Sequence, residues 1–339
     1  MVETILVTGG SGFVAGWCIA ELLRRGYAVR ATLRSLTKEP AVRVAVASAG
    51  VDTGPLTFVV ADLTQDAGWD MAVAGCQYVI HVASPLGAAG SRAPEAIVAP
   101  AVDGTLRVLR AATRAGVKRV VMTSAATAAT PSLDGPDSVS DETVWFDPDE
   151  RKVDVYRLSK RLAERAAWDF MREQRGPTTL TTVLPGAVFG PVLSTDNMGS
   201  VQVIARLLQG RVPGNPRLGF EVVDVRDLAD LHILAMTSQQ AAGERFIAVG
   251  EFMWMADIAR TLRARLGEAA AKVPTRALPD FVLRAMALLD PKLRMLTPIL
   301  GRQLRHTSAK ARRVLGWHAR PADATLTDCA NSLMVHHAV

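Results

Sequence analysis

Thr4-Ile5-Leu6-Val7-Thr8-Gly9-Gly10-Ser11-Gly12-Phe13-Val14-Ala15 is the stretch that decides the fold. The β-branched and apolar run over residues 4–7 enters a glycine-rich turn. A helical pattern leaves it through Phe13, Trp17, Ala20, Leu22 and Leu23 and stops at Gly26. A second strand over residues 27–33 follows at once, so the unit reads as the first βαβ crossover of a doubly wound parallel sheet. Gly9 suits the tight turn, Gly12 has no Cβ to hold a pyrophosphate away, and Ala15 is small enough for helix to pack on strand. The amides of Ser11, Gly12, Phe13 and Val14, at the positive end of the helix dipole, then face the phosphates. Against a purely structural turn, the flanking strands and helix favour dinucleotide binding.

The chain has 339 residues, 49% of them apolar and 21% charged, which suits a folded α/β core with a smaller appended lobe. Its formal charge of +6 comes from scattered Arg and Lys with few aromatics, so it predicts a basic surface suited to an anionic cofactor and no nucleic-acid partner. Cys18, Cys76 and Cys329 are widely spaced and odd in number, which implies neither a disulfide framework nor a metal set and fits a reducing cytoplasm. No basic leader precedes the first strand and no apolar run reaches the roughly 20 residues of a membrane span, so a soluble cytoplasmic protein is expected.

Strand and helix patterns alternate up to residue 190, with strands expected at 56–61, 78–82, 119–123 and 178–184 and helices at 41–50, 66–74, 94–115 and 153–173. Fold class and domains follow. An α/β Rossmann-type domain spans 1–190, the chain returns to it at about 220–250, and 191–339 is mainly a C-terminal substrate-binding lobe. In that lobe helices are expected at 200–209, 227–238, 256–266, 279–289 and 308–315, the last stopped by Gly316. Asp62, Ser84, Ser124 and Pro185 fall at carboxyl ends of strands, where ligands sit in open sheets. The Pro-, Asp-, Ser- and Gly-rich stretch 131–151 reads as an active-site loop.

Tyr156 and Lys160 stand four apart on one expected helix and so project from one face. A nearby ammonium lowers a tyrosine pKa from about 10, which lets the phenol donate a proton to a carbonyl oxygen while hydride reaches the carbon. Alone the spacing is a frequent accident. Downstream of a nucleotide turn and a hydroxyl-bearing strand end, it reads as a catalytic pair.

At these residues the chain resembles the extended short-chain dehydrogenase/reductases, most closely the dihydroflavonol 4-reductase-like branch with its cinnamoyl-CoA, methylglyoxal and ketone or aldehyde reductases. The resemblance rests on residues 8–15, Ala31-Thr32-Leu33-Arg34, Ala61-Asp62-Leu63, His81-Val82-Ala83-Ser84-Pro85, Tyr156-Arg157-Leu158-Ser159-Lys160, Val188-Phe189-Gly190-Pro191 and Val223-Asp224-Val225-Arg226-Asp227. It implies that Tyr156 is the proton donor and Lys160 its pKa-lowering, ribose-binding partner. It also implies that Asp62 and Leu63 meet the adenine, that Val82, Ala83 and Ser84 line the cofactor, and that Pro185 and Val188 flank the nicotinamide. Members that dimerise pack two helices, corresponding here to 94–115 and 153–173, which leaves a homodimer open. One departure stands out. The family's carbonyl-polarising serine aligns with Ala125 in Thr123-Ser124-Ala125-Ala126-Thr127, so the hydroxyl is expected from Ser124 first, from Thr127 second, or from neither.

At the end of the second strand, an NAD-specific fold carries an acid for the ribose 2′-hydroxyl. Here Arg34 and Lys38 offer a guanidinium and an ammonium to a 2′-phosphate, with no acid until Glu39, so NADP (NADPH) is the expected cofactor. The expectation is an NADPH-dependent reductase of a small-molecule ketone or aldehyde, reversible as an alcohol dehydrogenase. Alternatives are an NAD-dependent sugar-nucleotide epimerase or dehydratase, a 3β-hydroxysteroid-type dehydrogenase, and a catalytically weak nucleotide-binding scaffold. His81 reads as a core histidine, His232 and the His336-His337 pair lack metal-ligand partners, and Met253, Trp254 and Met255 read as packing. Asp224 and Asp227 read as helix caps or pins.

Overall fold

The computed structural model of the chain describes residues 2–84, 95–131, 135–145, 155–196, 198–294 and 296–339. The first half alternates as β1 (Thr4–Thr8), α1 (Phe13–Arg24), β2 (Ala28–Leu33), α2 (Glu39–Ala47), β3 (Leu56–Val60), α3 (Trp69–Val73), β4 (Tyr78–His81), α4 (Glu95–Arg114) and β5 (Arg119–Thr123). There follow β6 (Val139–Ser140), α5 (Val155–Glu173), β7 (Thr179–Pro185), β8 (Ala187–Phe189), α6 (Val201–Leu208), β9 (Gly219–Asp224), α7 (Val225–Thr237) and β10 (Arg245–Ala248). The chain ends through β11 (Phe252–Trp254), α8 (Met255–Leu266), α9 (Asp280–Leu289), α10 (Pro291–Arg294), β12 (Arg305–His306), α11 (Ala309–Leu315) and α12 (Ala322–Val335).

Among the described residues seven strands form one sheet in the order β10-β7-β5-β4-β1-β2-β3, every pair parallel. Helices cover both faces, which is why the inner strands are near-continuous apolar runs: Ile5, Leu6 and Val7 are wholly buried, as are Val120 and Val121. On one face α1 and α7 bury Ile19, Leu22, Leu228 and Leu231 against the sheet, and Trp317 closes that layer. On the other, α3, α4 and α5 pack through Trp69, Val108, Leu109, Ala163 and Ala167. The order turns back between β1 and β4, and the crevice at their carboxyl ends is the topological switch point where such sheets take ligands.

Beyond β7 the strands β8, β9 and β11 form a separate sheet, while α7 and β10 rejoin the large one. The second core lies between this small sheet and α6, α8 and α12, around Phe189, Ile204, Leu262 and Leu326. α12 is absent from the sequence reading. Its buried stripe, Ala322, Leu326, Cys329, Ala330 and Leu333, has helical spacing but is diluted by small residues. Asp224 caps α7 by accepting from the Arg226 amide at 2.8 Å. Asp227 accepts from the Arg320 amide and guanidinium and so pins the chain ahead of α12. The expected loop 131–151 is described at 131 and 135–145, where β6 pairs with β12; the rest of it lies outside the described residues, as do Pro85 and the first two residues expected in the helix at 153–173. Among the described residues no helix is long and apolar enough to cross a membrane.

Candidate functional site

The turn between β1 and α1 is held from β2. The amides of Gly9 and Gly10 donate to Thr32, one to its hydroxyl and one to its carbonyl, both at 2.9 Å. Gly9 sits at φ +72°, which an L side chain rarely adopts, and a Cβ there would stand 3.1 Å from Ala83 at the end of β4. A Cβ on Gly12 would crowd the Gly9 carbonyl at 3.2 Å. Gly12 is the N-cap of α1 and supplies no side-chain cap, and the first helical turn carries no acid, so its amides remain available to an anion. A cleft opens beside this turn, bounded by Ser11, Phe13, Lys38, Val42, Leu193 and Asp196. A cradle that glycine alone permits, with a bare helix N-terminus beneath it, fits a dinucleotide pyrophosphate.

Of the other expected cofactor contacts Lys38 borders this cleft, while Arg34, Asp62, Val82 and Pro185 stand at the carboxyl ends of β2, β3, β4 and β7. Arg34 is exposed at the end of β2, and Lys38 stands 3.8 Å from Asp196 in an exposed ion pair. Asp62 follows β3 and accepts from the amide and hydroxyl of Thr64; these bonds, ahead of the Arg34 charge, hold its carboxyl below the usual range. Leu63 packs against Gly104 of α4, where a Cβ would come within 2.7 Å of its side chain. Val82, Ala83 and Ser84 continue from β4, half-buried, with the Ala83 amide donating to Thr8 Oγ1 at 3.0 Å. Pro185 closes β7 and is buried, while Val188 on β8 is half-buried.

α5 carries the candidate catalytic pair. Tyr156 is 38% exposed, whereas Lys160, one turn on, is 6% exposed and donates from Nζ to the Thr123 carbonyl at 3.3 Å. Burial pulls the Lys160 pKa down to about 8, opposed by the charge of Glu164. His81 is a buried core histidine bonded to Thr8 Oγ1 at 2.8 Å; burial, reinforced by Lys160, drives its pKa to about 3, so it is neutral. His232 is likewise buried, between Thr123 Oγ1 and the Leu228 carbonyl, with its pKa lowered by burial to about 4.

Ser124, the first of the expected hydroxyls, is buried and donates to Glu164 Oε2 at 2.6 Å. Ala125 is buried and has no hydroxyl to offer. In the short 3₁₀ turn that follows, Ala126, Ala128 and Ala129 join an apolar cluster with Leu184 and Ile247, and Thr127 is the member left out of it. Thr127 Oγ1 is buried with no hydrogen-bond partner among the described residues. Sequence reasoning missed Glu164 and Arg245. Glu164 was within reach, since Tyr156, Lys160 and Glu164 repeat every four residues on one helix face.

Comparison with known proteins gives a consistent set of likenesses. The family model described as the NAD dependent epimerase/dehydratase family matches residues 5–250. Anthocyanidin reductase ((2S)-flavan-3-ol-forming) of Vitis vinifera is 33% identical over 288 residues, covering 80% of this chain and 83% of that protein. Cinnamoyl-CoA reductase 1 of Petunia hybrida is 34% identical over 264 residues, 77% of this chain and 76% of that one. Among solved structures, yeast methylglyoxal/isovaleraldehyde reductase complexed with NADPH superposes with a TM-score of 0.81 at 23% identity, covering 99% of this chain and 100% of that chain. UDP-glucose 4-epimerase of Thermotoga maritima reaches 0.75 at 19% identity, covering 98% of this chain and 99% of that one, so the fold alone does not choose between reduction and epimerisation.

Proposed function

Since the chain belongs to the NAD dependent epimerase/dehydratase family, the extended short-chain dehydrogenase/reductases, we propose that it is an NADPH-dependent reductase of a small-molecule ketone or aldehyde. The observation that carries this reading is the pair on α5, a half-exposed Tyr156 one turn from a buried Lys160 beside the switch-point crevice. The curated relatives named above are reductases, which favours reduction over epimerisation.

When bound, NADPH supplies the hydride. Gly9, Ser11, Gly12, Phe13 and Val14 would hold its pyrophosphate, and Arg34 and Lys38 its 2′-phosphate. Asp62 and Leu63 would border the adenine, Val82 to Ser84 the ribose path, and Pro185 and Val188 the nicotinamide. Tyr156 gives its phenolic proton to the carbonyl oxygen, and the Lys160 ammonium stabilises the phenolate left behind. Thr127, whose hydroxyl has no partner among the described residues, takes the polarising role in this reading, while the Ser124 hydroxyl is held by Glu164.

The test is Tyr156→Phe with an activated ketone and NADPH. Turnover should fall by at least about 10²-fold while NADPH affinity stays within about twofold. Undiminished turnover would remove Tyr156 from the reaction and the reductase reading with it.

A further inference from the structure

Glu164 lies on α5 wholly buried, and its oxygens collect donors from three strands of the large sheet. Ser124 Oγ, just past β5, reaches Oε2 at 2.6 Å. Thr182 Oγ1 of β7 reaches Oε1 at 2.8 Å, and Arg245 of β10 donates from Nε at 2.9 Å and from Nη2 at 3.4 Å. Trp168, one turn further along the helix, adds its indole N–H at 3.5 Å. Each of these groups donates to Glu164, and Arg245 makes one of the contacts an ion pair. The guanidinium of Arg245 is itself fixed, 3.7 Å over the Trp145 ring and bonded to the carbonyls of Glu142 and Val144, so the network also anchors the segment that precedes α5.

We propose that Glu164 is a positioning residue for the reduction: its carboxylate, clamped by Ser124, Thr182 and Arg245, keeps the Lys160 ammonium charged and thereby sets how readily Tyr156 forms its phenolate. This rests on the reductase reading of Tyr156 and Lys160. Among the described residues α5 itself carries Tyr156, the buried Arg157, Arg161 and Glu164 within about one turn of Lys160. Glu164 and Tyr156 flank it on its own helix, His81 at the end of β4 is neutral, and α4 meets α5 through Val108, Leu109 and Ala112. Glu164 stands one turn along α5 from Lys160, and its charge raises the Lys160 pKa against the lowering by burial. A buried lysine without a neighbouring anion surrenders its proton near neutral pH, and an uncharged amine does not acidify a phenol. Ser124 thus serves the reaction at one remove, by holding the carboxylate.

The experiment compares the parent, Glu164→Gln and Glu164→Asp. The alkaline limb of kcat for NADPH-dependent ketone reduction should move down by about one pH unit in Glu164→Gln and return most of the way in Glu164→Asp. Independently, the phenolate absorbance of Tyr156 is isolated by subtracting the same variant carrying Tyr156→Phe, which is practicable because the chain has 3 tyrosines. Its apparent midpoint should rise in Glu164→Gln, a shift that a packing defect would not produce. Should the orphaned Arg245 prevent that variant from folding, Glu164→Gln combined with Arg245→Met removes both charges and must show both displacements in the same directions, smaller because a cation is lost with the anion. A folded variant with both the alkaline limb and the phenolate midpoint at their parental positions overturns the proposal. The absorbance titration uses neither cofactor nor substrate. A displaced midpoint alongside a fully active Tyr156→Phe would therefore support the Glu164–Lys160–Tyr156 linkage and overturn the reductase reading alone.

Discussion

Replacing Lys160 with Met should make the protein more stable at neutral pH and abolish the proposed reduction of carbonyls. The ammonium is buried, and its pKa stands at about 8 where the ordinary value is 10.5. Below about pH 8 the lysine is protonated in both the folded and the unfolded chain, and the fold bears the full cost of burying that charge. Between about 8 and 10.5 the folded chain has released the proton and the unfolded chain still holds it, so the parent gains stability as the pH rises. A displacement of about 2.5 powers of ten, at about 1.4 kcal/mol each, gives about 3 kcal/mol. Losing the Nζ bond to the Thr123 carbonyl returns about 1 kcal/mol, leaving Lys160→Met about 2 kcal/mol ahead near neutral pH. Methionine has nearly the reach of lysine, so no large cavity offsets the gain. Urea unfolding followed by tryptophan fluorescence at about pH 7 and about pH 10 measures both ends. A variant no more stable than its parent at the lower pH, or an advantage that persists undiminished at the higher, refutes the reasoning.

Arg34→Asp should reverse the cofactor preference, weakening NADPH by about 10- to 100-fold through loss of a charge-assisted contact to the 2′-phosphate and improving NADH. The ratio of kcat/KM for the two cofactors measures it, and an equal loss with both would sink the assignment of Arg34. Thr127→Val should cut kcat by about 10²-fold with little change in stability, since its hydroxyl has no partner to lose among the described residues. Ser124→Ala should instead destabilise the chain by about 1 to 3 kcal/mol, because a buried carboxylate loses a 2.6 Å donor. Parallel kinetics and denaturation of the two variants decide, and the opposite pattern would return the polarising role to Ser124.

The strand, glycine turn and helix over residues 4–24 were legible from the chain itself, as were the four-residue step from Tyr156 to Lys160 and the basic strand end at Arg34. Each of these is local: backbone conformation and side-chain spacing within one element follow from neighbours a few residues apart. The sheet order decided the rest. Ser124 and Glu164 are 40 residues apart and Glu164 and Arg245 are 81 apart, and they meet only because β5, β7 and β10 lie side by side under α5. A serine at a strand end can turn toward the crevice or into the core, and nothing in the run from Thr123 to Thr127 says which. That choice was made by a carboxylate which, once buried, requires donors from every side. Sequence proximity thus established where the glycine turn and the phenol stand, while the charges that surround Lys160 were decided by which distant groups burial forced together.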